Sequence, residues 1–156
     1  MNLTPLVVDG LWAALFAMAM AVVLSAPLQG LFPSFCGGFV ARFTRDVLIG
    51  WGAGENLAVL IAAAAVVIAA GGLIRRPGVS PMVMVSALIP LGAARAFFAA
   101  IVGFLQITSL KGEALAGAPL ALISNLSKVF TTTSAIAVGV SMGVLIVRFV
   151  RHEAAQ

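Results

Sequence analysis

Arg95, Asn125 and Lys128 are the residues that can do chemistry in this sequence, because each stands inside an otherwise apolar stretch. Arg95 lies thirteen residues after Met82 and ten before Leu105. At the depth this implies, a cation costs at least about 2.5–3.5 kcal/mol and so faces a cavity, a partner or a pathway. Pro90 and Gly92 precede it, and such residues loosen a helix and free backbone groups. A cation beside a broken helix is one way to hold a carboxylate; an ion pair with Asp46 or Asp9 that only ties helices together is the other reading. Lys128 lies in Ser124-Asn125-Leu126-Ser127-Lys128, followed by Thr131, Thr132, Thr133 and Ser134. Hydroxyls and an amide can bond a small polar solute, bond back to their own helix, or join neighbouring helices. Ser124, Asn125 and Lys128 are therefore candidate substrate contacts, with Lys128 also able to reach toward a surface. Asp46 and Asp9 are the acids a proton-coupled mechanism would use, Asp46 ahead of Asp9. Glu55 and Glu113 read as loop residues.

The elements that must position these groups follow from composition. The chain has 156 residues, 62% hydrophobic and 9% charged, against about 25% charged in soluble domains. Its mean hydropathy is +1.17. A water-soluble fold of this size leaves roughly a third of its unfolded surface exposed, so this much apolar surface must face lipid. The net charge of +4 would suggest nucleic acid in a soluble chain. Here the cations adjoin or interrupt apolar runs, and no nucleic-acid partner is expected. A single Cys36 excludes an intramolecular disulfide, and His152 alone cannot build a metal cluster. No cofactor is expected. No nucleophile–base set or metalloprotease motif is present, so an enzyme is not expected either.

About 20 apolar helical residues cross a bilayer core of roughly 30 Å. Five stretches qualify, at 7–25, 33–49, 57–74, 82–105 and 119–147, giving an all-α polytopic membrane protein with one transmembrane domain over 1–156. The first stretch carries Asp9 where a secretory signal would carry a basic residue, so a retained span is expected. The second has Phe35, Phe39 and Phe43 on one helical face, with Arg42 and Asp46 four apart and able to pair. It either crosses or lies flat at the interface. The fourth is expected to be interrupted at Pro90 and Gly92. The fifth would be about 43 Å long as a helix, too long for a straight span, and a break is expected near Ser124–Lys128. Gly50-Trp51-Gly52-Ala53-Gly54 reads as a tight turn, and Gly139-x-x-x-Gly143 permits close helix contact. With five crossings, Arg75, Arg76, Arg148 and Arg151 fall in the cytoplasm with the C-terminus, and the N-terminus lies outside.

The layout resembles a known family. Asp9 opens the first span, which ends at Ala26-Pro27, and Cys36-Gly37-Gly38-Phe39-Val40-Ala41-Arg42 follows. A plain apolar span ends at Arg75-Arg76-Pro77, Ala87-Leu88-Ile89-Pro90 falls in mid-span, and the last span carries Asn125 and Gly139-Val140-Ser141. These features are similar to the smaller, all-transmembrane half of the threonine/serine exporter family. The resemblance implies a subunit of a bacterial inner-membrane exporter of small carboxylate-bearing metabolites, driven by the proton gradient. It also implies a second membrane subunit with a cytoplasmic portion. In the family a Pro-x-x-Pro-Gly turn is typical, whereas this chain has Pro90-Leu91-Gly92-Ala93-Ala94. Arg95 and Lys128 stand where uncharged residues are expected, which favours a more anionic substrate such as a dicarboxylate. Two rival readings remain: a non-transporting assembly subunit, and a homo-oligomeric channel lined by Thr131 to Ser134.

Overall fold

The computed structural model describes residues 3–73, 81–92, 94–109 and 118–153, which are helices joined by short turns, with no strand among them. The helices are α1 (Leu3–Val23), α2 (Leu31–Gly50), α3 (Glu55–Leu73), α4 (Pro81–Leu88), α5 (Ala94–Ser109) and α6 (Ala118–Glu153). Short 3-10 turns at Leu28–Gly30 and Ile89–Leu91 lie ahead of α2 and after α4. Thr4–Val23, with mean hydropathy 2.2, and Pro119–Val150, with 1.9, are long and apolar enough to cross a membrane. Glu55–Ala70 and Met82–Leu91 are shorter apolar helical stretches. The chain groups into two compact units, Met1–Leu91 with Ala135–Gln156, and Gly92–Ser134.

Two helix ends follow the same capping rule. After α1, Ser25 N–H donates to the Val22 carbonyl and Ala26 N–H to Ala21, both at 2.9 Å. This crossed pair closes a helix whose next residue adopts a left-handed conformation, and Ser25 has φ 56°. After α2, Gly52 N–H bonds Ile49 and Ala53 N–H bonds Leu48, with Gly52 at φ 88°. The turn expected over 50–54 is present, and it uses the one residue type that takes positive φ without strain. Ser25 does the same job at a steric cost.

The first unit is built around α2, which packs against α1, α3 and α4. Its interior is made of small side chains. Ala14, Ala17 and Ala21 of α1 are fully buried, and so are Ala41 of α2 and Ala58, Ala62 and Ala63 of α3. A Cβ at Gly38 would stand 3.0 Å from the Ala13 carbonyl oxygen, so α1 and α2 approach backbone to backbone. The outward positions carry large apolar groups instead: Trp12, Phe16 and Val23 on α1, and Leu145, Phe149 and Val150 on α6, are all exposed. Small residues inside and large ones outside is how helices pack where lipid removes the hydrophobic force between them.

The fourth stretch is interrupted as expected, since α4 stops at Leu88 and α5 begins at Ala94. The expected break in the fifth is absent: α6 is one helix of 36 residues. No proline or glycine lies between Leu120 and Val138 to end it, and the hydroxyls find acceptors within the helix itself. Thr131 donates to the Ser127 carbonyl at 3.0 Å, Thr133 to Val129 at 2.8 Å and Ser141 to Ala137 at 2.9 Å. The Gly139-x-x-x-Gly143 pair makes the contact its spacing suggests, with Gly139 against Leu60 and Ala63, and Gly143 against Ala64 and Val67 of α3.

Gly139→Leu is expected to cost about 1–3 kcal/mol in detergent unfolding, because the side chain would meet the Leu60 backbone. Val138→Leu, at the exposed neighbouring position, should leave the unfolding midpoint unchanged. Ser25→Gly should stabilise the chain by up to about 1 kcal/mol by relieving the positive φ.

Candidate functional site

The best-defined polar constellation lies where α2 ends and α3 begins. The Trp51–Gly54 turn returns the chain so that Glu55, in the first turn of α3, meets Arg45 ten residues earlier. Arg42 Nε lies 2.8 Å from Asp46 Oδ2, the pair that the i, i+4 spacing suggests. Arg45 Nη1 lies 3.3 Å from Asp46 Oδ1, and Arg45 Nη2 lies 2.7 Å from Glu55 Oε1. Both carboxylate oxygens of Asp46 are thus held by guanidinium groups. Arg45 and Asp46 are 17% and 18% exposed, whereas Glu55 is 64% exposed. Arg45 Nε is buried with no hydrogen-bond partner among the described residues. Phe39 and Phe43 stack on the same helix at 5.6 Å, two of the three aromatics expected on one face.

Two buried serines form a second polar contact. Ser34 on α2 donates to the Gly30 carbonyl at 2.9 Å, and its oxygen lies 2.9 Å from Ser86 Oγ on α4. Ser86 has one proton to share between Ser34 and the Val83 carbonyl, also at 2.9 Å. Both side chains are fully buried. Nearby, a cavity of about 90 Å³ opens between α2, α3 and α4, lined by Cys36, Gly37, Val66, Ala70, Met84 and other apolar groups. It can take an apolar group or nothing; it has no charge to orient a polar one.

The residues singled out from the sequence divide between the two units. Asp46, Asp9 and Pro90 belong to the first, and Gly92, Arg95, Ser124, Asn125 and Lys128 to the second. Asp9 is exposed on α1. Pro90 sits in the turn Ile89–Leu91 and Gly92 directly follows it. Arg95 falls in the first turn of α5, and its side chain lies outside the described residues. On α6, Ser124 and Lys128 are exposed four residues apart and Asn125 is half-buried. Gly103 of α5 lies against Leu122, with 3.9 Å from its added Cβ to Leu122 Cα. Arg75, Arg76, Lys111 and Glu113 lie outside the described residues.

Glu55 is a correction, since it opens α3 and pairs with Arg45 where a loop residue was expected. That pair depends on a turn closing, which the spacing of charges along one helix cannot reveal. Ser34 and Ser86 were not singled out, although a lone hydroxyl in an apolar run is itself a signal for a helix-joining contact.

Asp46→Asn should lower stability by about 1–3 kcal/mol, because it leaves two largely buried guanidinium groups without their shared carboxylate. Glu55→Gln should cost less than about 1 kcal/mol, the range of exposed pairs. Unfolding followed by circular dichroism in detergent checks both. No protein-family model, no curated protein and no solved structure matches this chain.

Proposed function

We propose that this chain is a multi-pass subunit of a bacterial inner-membrane exporter of small carboxylate-bearing metabolites, driven by the proton gradient. The observation that carries the reading is the interrupted helix at Ile89–Leu91, with Arg95 in the first turn of the helix that follows. A broken helix leaves backbone groups without intrahelical partners, and a nearby cation can balance a substrate carboxylate. Arg95 would hold that carboxylate, Pro90 and Gly92 would keep the backbone open, and Ser124, Asn125 and Lys128 would bind the remainder of the solute. Asp46 and Asp9 are the proposed proton carriers. Asp46 is held by Arg42 and Arg45 at the end of α2.

Five crossings are proposed: α1, α2, α3, α4 with α5, and α6, with the C-terminus in the cytoplasm. Packing of α2 on three helices supports a crossing for it over a position flat on the surface. The exposed large apolar side chains support lipid around the bundle. A second membrane subunit with a cytoplasmic portion is the proposed partner, and no catalysis is assigned to the chain.

Arg95→Ala, expressed at wild-type level, should lower export of radiolabelled succinate or threonine from preloaded cells by at least about tenfold, the scale on which losing a charged contact acts. Unchanged export would defeat the reading. Arg95→Cys in a Cys36→Ser background should react with a membrane-impermeant thiol reagent, as a residue lining an aqueous path must. Native mass spectrometry in mild detergent should find a second polypeptide beside multiples of this chain.

A further inference from the structure

The ion-pair cluster at the end of α2 contains an arginine whose bonding is incomplete in one particular way. On a guanidinium, Nε–H and one Nη2 hydrogen point along the same edge, and a carboxylate docked side-on takes both. In Arg45 the other end is occupied, with Nη1 on Asp46 Oδ1 at 3.3 Å. Of the two nitrogens on the side-on edge, Nη2 holds Glu55 Oε1 at 2.7 Å, while Nε is buried and has no partner among the described residues. Glu55 therefore bonds one nitrogen of the pair that a docked carboxylate would take, and the other is left without an acceptor among the described residues. Its side chain is 64% exposed and reaches in from the first turn of α3, whereas Arg45 is 17% exposed and braced by Asp46 and, through it, by Arg42.

We propose that Arg45 is a binding site for a small carboxylate, which displaces Glu55 and takes both Nε and Nη2. Glu55 is a tethered occupant of that site. The exchange swaps one carboxylate for another on the same guanidinium, so no charge is left unpaired at Arg45, and the released Glu55 turns to solvent. Asp46 and Arg42 stay in place and hold the guanidinium plane in position. This deepens the exporter reading, on which it rests for the ligand's traffic, by assigning a carboxylate site apart from Arg95. A phosphate group, free or on a lipid, presents the same paired oxygens, and the test separates these sources.

The experiment uses the full chain in nanodiscs of phosphatidylcholine, with succinate as the probe and calorimetry as the readout. A tethered competitor that holds a site about nine-tenths of the time weakens apparent affinity about tenfold. Glu55→Gln and Glu55→Ala should each tighten succinate binding by about that factor over wild type. In the Glu55→Gln background, Arg45→Gln should abolish binding. Arg45→Lys, which keeps the charge and removes the two-pronged edge, should also lose it, and serves if the neutral variant does not fold. Unchanged affinity in both Glu55 variants overturns the proposal, as does full binding in Arg45→Lys. Competition by inorganic phosphate at the same concentration as succinate, or loss of succinate binding when phosphatidylglycerol replaces phosphatidylcholine, marks a phosphate site and overturns it too. The binding readout is independent of transport. Tightened binding in a chain that exports nothing would sink the exporter reading alone, whereas export that needs Arg95 but unchanged binding in the Glu55 variants would sink this proposal alone.

Discussion

In lipid, apolar side chains gain nothing by leaving their surroundings for a neighbouring helix, so helices associate only where their backbones come close enough for dispersion and polar contacts to accumulate. The first unit has close backbone approach of this kind, through α2 and the small residues that face it and α3. Gly38 lies against Ala13, Ala14 and Ala17 of α1, while Gly37 meets Ala87 of α4 and Val66 of α3. Gly139 and Gly143 let α6 sit against the α3 backbone in the same way. Ile136 and Val140, on the same part of α6, reach the cluster of Ala41, Ala62, Ala63, Val66, Ala87 and Leu91.

Close approach also sets where polar groups can go. A bundle interior of alanine and glycine has room for a hydroxyl but little for a charge. Ser34 and Ser86 occupy it fully buried, within hydrogen-bond distance of each other and of the Gly30 and Val83 carbonyls. Four ionic groups, Arg42, Arg45, Asp46 and Glu55, gather instead at the end of α2, where the Trp51–Gly54 turn lets α3 supply Glu55. The cluster shares its partners, since Asp46 serves two arginines and Arg45 serves two acids.

Several elements were legible from local chemistry. Pro90 and Gly92 end a helix because one lacks an N–H and the other lacks a Cβ, and the interruption at Ile89–Leu91 follows. The i, i+4 spacing of Arg42 and Asp46 puts them on one face, and they bond at 2.8 Å. The break expected in α6 failed for a local reason as well. Its serines and threonines have a carbonyl four residues back to bond, so a polar run without proline or glycine continues the helix.

The sequence by itself determined the helical, apolar character of the chain, the positions of its turns and the contacts available within a single helix. Those properties depend on residues a few positions apart, and the helical repeat brings them together whatever else the chain does. Only the tertiary structure decided that Glu55 reaches Arg45, that Ser34 meets Ser86 fifty-two residues away, and that Gly139 and Gly143 face α3. These partners lie on different helices. Which faces meet is settled by how closely whole backbones can approach, a property of all the small residues taken together.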